Sequence, residues 1–172
     1  MRKLLLIFAS LLVMVTLIVV ATIFLGVWRV PYYQIEVFGI SNSAIHWIGW
    51  IGTLYIAVAT PFYPLIKRKY PLHVNQILNI HVLGNLLGVL VVSIHFANQV
   101  TRPASNYPDL GTGIVLYATT LLLLATGMVM VSGMGRKFFK QIRFLHPAYA
   151  ITFYTVIVMH ILQDLIILSP FT

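Results

Sequence analysis

Five long apolar stretches constrain this chain more than any other feature of its sequence. A helix needs about 20 mostly apolar residues to cross the hydrocarbon core of a bilayer. Each stretch is close to that length, and together they cover Leu4–Gly26, Ala44–Ile66, Leu78–Asn98, Thr112–Met134 and His146–Ser169. Only 8% of the residues are charged, whereas soluble domains average about 25%. We therefore predict an all-α integral membrane protein with five transmembrane helices, forming a single membrane domain over residues 1–172.

The rest of the composition excludes several classes of protein. The chain has no cysteine, which excludes disulfides, iron–sulfur clusters and thiolate metal sites. Its net charge of +8 comes from short basic clusters between the apolar stretches, which is a topology pattern, so no nucleic-acid partner is expected. The first stretch is longer than the 7–15 residues of a signal-peptide core, and we predict a retained helix. Pro61 and Pro64 are expected to bend or end the second helix.

The basic residues also predict an orientation. If the five helices alternate in direction, nine of the eleven Lys and Arg residues fall on one side of the membrane, leaving only Arg29 and Arg102 on the other. The nine are Arg2, Lys3, Lys67, Arg68, Lys69, Arg136, Lys137, Lys140 and Arg143. Because cytoplasmic loops carry an excess of Lys and Arg, we predict a multi-pass plasma-membrane protein with a cytoplasmic N-terminus and an external C-terminus.

Four histidines repeat one interval on two of the predicted helices. His81 and His95 lie fourteen residues apart on the third helix, and His146 and His160 lie fourteen apart on the fifth. At about 100° per residue, fourteen residues make four turns less about 40°, so each pair shares a helix face. The rise is about 21 Å, which places one histidine of each pair toward each membrane surface.

The third and fifth helices run parallel because one helix separates them. His81 is therefore predicted to meet His146 on the cytoplasmic side, and His95 to meet His160 on the outer side. Facing imidazoles at two depths suit two haems, each with two axial histidines. One alternative is hydrogen bonding between helices, and another is a zinc or copper site at each depth. Two imidazoles are too few for a closed tetrahedral zinc site, and no acid or cysteine lies beside them.

Other residues near these histidines have weaker signals. Gly84 and Gly88 share the histidine face of the third helix, and we interpret them as room for flat macrocycles, with helix–helix packing as the alternative. Gly113 and Gly127 on the fourth helix repeat the interval of fourteen.

Candidates for orienting the third-helix imidazoles are a backbone carbonyl or the polar side chains Asn79, Asn85 and Asn98. His73 is expected to be solvated, whereas His46 is an interfacial histidine or a contact to a haem propionate or quinone.

At this point the sequence resembles a known group. Residues Leu78–Val100, LNIHVLGNLLGVLVVSIHFANQV, and Leu145–Asp164, LHPAYAITFYTVIVMHILQD, resemble the two ligand helices of diheme transmembrane b-type cytochromes. Thr126-Gly127 is also similar to members of this group. The resemblance implies a four-helix haem-binding bundle over residues 44–169, with the first helix, residues 1–26, peripheral to it. It also implies that His81 and His146 ligate the inner haem, and His95 and His160 the outer one.

Such cytochromes include quinol-oxidising respiratory subunits, membrane anchors of periplasmic enzymes, and ferric reductases. This chain has no G-x-G-x-x-G, so we expect its electrons to come from a quinol or a partner subunit. The leading hypothesis is the quinone-linked electron-transfer subunit of a redox complex, in contact with membrane lipid, the quinone pool and other subunits. Asp164, His46 and Glu36 weakly favour an outer quinone site. The alternatives are a stand-alone ferric-reductase-like oxidoreductase and a histidine-containing metal transporter or assembly protein.

Overall fold

The computed structural model describes residues 2–28, 33–37, 40–102, 111–134 and 136–168. Over these ranges the chain forms five α-helices: α1 (Arg2–Phe24), α2 (Ala44–Lys69), α3 (Val74–Val100), α4 (Gly111–Ser132) and α5 (Phe139–Leu168). All five are long and apolar enough to cross a membrane. The prediction of an all-α protein with five transmembrane helices is confirmed, and the chain is a multi-pass membrane protein.

The surface of the helices is apolar rather than polar. In the most apolar window of each span, only 11% to 28% of the residues are buried within the protein. Leu17 on α1 and Ile51 on α2, for example, are 64% and 67% exposed. Exposed apolar area on this scale is unfavourable in water and favourable in lipid, so the burial pattern fits the membrane assignment.

The chain divides into two compact units, residues 1–107 and 108–172. In the first unit α3 packs against both α1 and α2, and in the second α4 packs against α5. We call the two packed pairs the α2–α3 hairpin and the α4–α5 hairpin. The four-helix bundle and the peripheral place of the first helix remain predictions.

Glycines in the left-handed conformation end two of the helices. Gly26 has φ of 68°, its N–H donates to the Ile23 carbonyl, and the N–H of Val27 donates to the Thr22 carbonyl at 2.9 Å. These two bonds form a Schellman motif, which satisfies carbonyls that the helix itself leaves without partners. Gly133 has φ of 73° and closes α4 with one bond to the Val129 carbonyl.

Helices α2, α3 and α5 extend beyond the limits predicted from their apolar stretches. α2 contains Pro61 and Pro64, continues to Lys69 and stops before Pro71. Neither inner proline ends the helix, and a bend at them stays a prediction. Prolines are tolerated in membrane helices because local adjustments and neighbouring groups satisfy the freed carbonyls. α5 begins at Phe139 rather than at His146, because a helix continues past the apolar layer when its basic side chains can reach water.

A short antiparallel pair of strands precedes α2 and was not predicted. The strands are β1 (Gln34–Val37) and β2 (Ile40–Ser43), with Gln34 opposite Ser43. The indole Nε1 of Trp47 donates to the Ile35 carbonyl at 3.0 Å, and the N–H of Ala44 donates to the Tyr33 carbonyl. Tyr33, the residue before β1, therefore provides a partner for an N–H that the first turn of α2 leaves unbonded.

Candidate functional site

Each hairpin places two histidines on its second helix. His81 and His146 lie toward the turn that joins the two helices of their hairpin, and we call them the loop-end histidines. His95 and His160 lie toward the other end, and we call them the open-end histidines. All four rings are half-buried. The predicted pairs, His81 with His146 and His95 with His160, each join one hairpin to the other, and both remain predictions.

The open-end histidine of the α2–α3 hairpin is bound to the backbone of α2. Nδ1 of His95 lies 3.2 Å from the Ile45 carbonyl oxygen. The ring packs against Gly49, where an added Cβ would lie 2.6 Å from His95 Cγ. A carbonyl oxygen can only accept a hydrogen bond, so Nδ1 carries the proton. The other ring nitrogen, Nε2, therefore keeps its lone pair in the neutral imidazole.

In the α4–α5 hairpin, Nδ1 of the loop-end histidine lies against a hydroxyl group. Nδ1 of His146 lies 2.9 Å from Thr126 Oγ1. The single hydroxyl proton of Thr126 is donated to its own helix, at 2.8 Å from the Leu122 carbonyl oxygen. When the hydroxyl proton is used in this way, Oγ1 can accept from the Nδ1–H group, which leaves a lone pair on Nε2. Gly127 lies beside the ring, and an added Cβ would be 3.3 Å from His146 Cε1.

The open-end histidine of the same hairpin repeats this arrangement. Nδ1 of His160 lies 3.0 Å from Thr112 Oγ1, and an added Cβ on Gly113 would be 3.5 Å from His160 Cε1. A threonine and the glycine after it therefore hold the ring at both levels of the hairpin. The hydroxyl of Thr112 can accept from Nδ1–H, as that of Thr126 can.

The loop-end histidine of the α2–α3 hairpin differs from the other three. Nδ2 of Asn85 lies 2.6 Å from the His81 carbonyl oxygen and 3.1 Å from His81 Nδ1. An amide nitrogen only donates, so Nδ1 of His81 is an acceptor and the ring proton is on Nε2. The His81 ring also stacks on Tyr63, with centroids 4.5 Å apart and planes at 26°.

These hydrogen bonds decide what each ring can ligate. A histidine that binds a metal through Nε2 donates its Nδ1–H to a carbonyl, a hydroxyl or a carboxylate, and this second bond fixes the ring. His95 is in that state, and His146 and His160 can adopt it. His81 is in the opposite tautomer. Within the described ranges, no cluster of three or more His, Cys, Asp or Glu side chains is placed to hold a metal ion.

The glycines of α3 lie against α2. An added Cβ on Gly88 would be 2.8 Å from Ile56 Cγ1 and 3.3 Å from the Gly52 carbonyl oxygen, and the Tyr55 hydroxyl lies against Gly84. Helix–helix packing, the alternative raised from the sequence, therefore accounts for both residues. The interpretation of Gly84 and Gly88 as room for a cofactor is not supported by these contacts and stays a prediction.

Three of the remaining polar candidates lie within the described residues. His46 lies beside His95, with ring centroids 5.0 Å apart and planes at 81°, whereas His73 is exposed, as expected. Glu36 is exposed on β1. The side chain of Asp164 lies outside the described residues, as do Arg29 and Asp109.

Sequence reasoning noted Thr126-Gly127 as part of the resemblance but did not predict that Thr112 and Thr126 contact the histidines. The dipeptide Thr-Gly occurs at 112–113 and again at 126–127, at the same interval of fourteen as the histidines of α5, and this repeat was the available signal. Among the orienting groups that were named, Asn85 does contact His81. For His95 the partner is a backbone carbonyl of α2, and not Asn98, because the close approach at Gly49 brings the ring to the Ile45 carbonyl.

No family model matches this sequence, and neither a curated protein nor a solved structure is significantly similar to it. Function must therefore be argued from the histidines and the groups that hold them.

Proposed function

We propose that this chain is a diheme b-type cytochrome that carries electrons across a membrane as the quinone-linked subunit of a redox complex. In this proposal His81 and His146 ligate one haem, and His95 and His160 ligate the other. The haems supply one-electron chemistry when bound. The protein supplies the ligands, their orientation and an apolar environment.

The hydrogen bonds at Nδ1 are the observation that carries the proposal. A histidine that only joins two helices needs one bond, and either nitrogen serves. Here the Ile45 carbonyl takes the Nδ1 proton of His95, and the Thr126 hydroxyl lies where it can take that of His146. The His95 ring thus has the tautomer that ligation through Nε2 requires, and the His146 ring can adopt it.

The spacing within each hairpin supports two haems rather than one. Fourteen residues rise about 21 Å along a helix, so each hairpin offers a ligand at two depths. One haem alone would leave a gap across the apolar layer too wide for fast electron transfer. Two haems at these depths divide that distance into shorter steps.

The orientation and the partners are proposed from charge and position. The loop ends of the hairpins carry most of the Lys and Arg residues. We therefore place the loop ends, with His81 and His146, on the cytoplasmic side of the plasma membrane. His46 lies next to His95, and this position supports a quinone site near the open-end haem. Electrons would pass between this quinone and a partner subunit.

The test is spectroscopy of the purified full chain. A reduced-minus-oxidised spectrum should show b-type haem, and pigment analysis should give about two haems per chain. His95→Ala should remove one haem and His146→Ala the other. His73→Ala is the matched control and should retain both, because His73 is exposed and outside the ligand set.

The outcomes separate the alternatives. A colourless preparation overturns the proposal. Loss of a haem in His46→Ala, with none lost in His160→Ala, would show that the ligand set is wrong. Rapid oxidation of the reduced haems by a ferric chelate, without any partner subunit, would favour the stand-alone reductase.

A further inference from the structure

The last turn of α2 carries three successive cations, Lys67, Arg68 and Lys69. Lys67 is half-buried, and its Nζ lies 4.9 Å from the centroid of the Tyr63 ring. The other face of the contact belongs to α3, because Tyr63 stacks on His81. Arg68 and Lys69 are exposed, so these two cations are accessible to a ligand at the end of the helix.

None of the described carboxylates lies near these two cations. The side chain of Glu36 is on β1, before the start of α2, and the 26 residues of α2 put Lys69 about 38 Å further along the axis. Lys69 Nζ lies 5.6 Å from the centroid of the Tyr70 ring, but a ring attracts a cation without neutralising its charge. The counter-charge for Arg68 and Lys69 therefore comes from outside the described residues.

An exposed apolar face of α2 leads directly to Lys69. At about 100° per residue, Phe62 and Leu65 lie on the same side of the helix as Lys69, within an arc of about 60°. Both apolar side chains are more than half exposed, and Leu72, in the turn that follows, is 94% exposed. Such exposure is unfavourable in water and favourable in lipid. The cations thus lie where the hydrocarbon layer ends, beside a surface that an acyl chain can cover.

We propose that Arg68 and Lys69 bind the phosphate of an anionic phospholipid whose acyl chain lies along Phe62 and Leu65. Phosphate and acyl chain are joined in one lipid molecule, as the cations and the apolar face adjoin on α2. Anionic headgroups attract Lys and Arg close to the membrane surface, and the guanidinium of Arg68 can donate two hydrogen bonds to one phosphate. An acidic protein domain would supply the charge but would leave the adjoining apolar surface uncovered. The proposal does not depend on haem.

The experiment is a lipid titration of the purified full chain in detergent, followed by native mass spectrometry. The measured quantity is the dissociation constant of the first bound phosphatidylglycerol, with phosphatidylcholine as the neutral reference. The wild-type chain should bind phosphatidylglycerol more tightly than phosphatidylcholine. Each cation at a membrane surface changes the affinity for anionic lipid about fivefold, so Arg68→Gln and Lys69→Gln should each weaken phosphatidylglycerol binding by about that factor. Lys69→Arg keeps the charge and should retain the affinity.

The matched control is Lys3→Gln, which removes the same charge from an exposed lysine of α1 and should leave the affinity unchanged. An equal loss in Lys3→Gln and Lys69→Gln would overturn the site, because attraction would then follow the total charge. Displacement of phosphatidylglycerol by inorganic phosphate at equal concentration would also overturn it, since the ligand would be a free anion. Equal binding of the two lipids would overturn it as well and would leave an acidic protein surface as the source of the counter-charge.

Discussion

The two hairpins present histidines at the same interval, but they support the rings with different residues. In the α4–α5 hairpin both rings rest on a Thr-Gly pair, with the hydroxyl at Nδ1 and the glycine beside Cε1. In the α2–α3 hairpin the open-end ring rests on a glycine and a carbonyl, and the loop-end ring on a tyrosine and an amide. One hairpin uses a Thr-Gly pair at both rings, and the other uses a different set of groups at each ring.

The middle of each hairpin shows a second contrast. Halfway between His81 and His95 lies Gly88, in contact with the large side chain of Ile56 on α2. Halfway between His146 and His160 lies Phe153, which is 1% exposed. The helix that carries the histidines thus has a small residue at its midpoint in one hairpin and a large residue there in the other. The fourteen-residue interval between histidines is common to both hairpins, while the packing around it is specific to each.

The largest expected effect comes from filling the space beside an open-end ring. Gly49→Ala puts a Cβ 2.6 Å from His95 Cγ, which the ring can avoid only by moving. Overpacking of this kind costs about 1–3 kcal/mol. We expect loss of one haem, measured as the haem content of the purified chain.

Gly113→Ala is the matched variant in the other hairpin. Its Cβ would lie 3.5 Å from His160 Cε1, which is ordinary contact, so both haems should be retained. Equal haem loss in the two variants would show that haem binding does not depend on the distance between the added Cβ and the histidine ring.

A smaller effect is expected from removing one hydroxyl. Thr126→Val keeps the shape of the side chain but leaves His146 Nδ1–H without its acceptor, a loss of about 1 kcal/mol for a neutral hydrogen bond. The potential of one haem should become more positive. Thr126→Ser should restore the wild-type potential.

Thr119→Val provides the control on the same helix. Thr119 lies seven residues from both Thr112 and Thr126, and its hydroxyl donates only to its own helix, at the Val115 carbonyl. Both potentials should be unchanged. A shift as large as that of Thr126→Val would mean that the effect is one of helix packing.

The smallest effect concerns the aromatic stack of the α2–α3 hairpin. Tyr63→Leu removes the ring beneath His81, and aromatic pairs contribute about 0.5–1.5 kcal/mol beyond their buried area. The temperature at which the loop-end haem is released should fall modestly. Tyr63→Phe keeps the stack and should match the wild type; a fall as large as that of Tyr63→Leu would assign the effect to the hydroxyl.

Much of the fold could be predicted from hydropathy, but the details of the site could not. The five helices follow from the lengths of the apolar stretches, since each must satisfy its own backbone in lipid. The start of α5 at Phe139 and the continuation of α2 from Ile66 to Lys69 were missed, because apolar runs mark the bilayer rather than the helix. The β1–β2 pair was missed because neither four-residue strand has a strong pattern.

The sequence by itself determined the number of spans and the interval of fourteen between histidines, because hydropathy and helical periodicity are local properties of the chain. Only the tertiary structure decided which group meets each Nδ1. The Ile45 carbonyl, the Thr126 hydroxyl and the Asn85 amide differ in whether they accept or donate, and contact across a helix pair depends on packing distances that no local pattern records. The carbonyl at His95 and the amide at His81 set the tautomer of their rings, and the tautomer decides which nitrogen carries the lone pair.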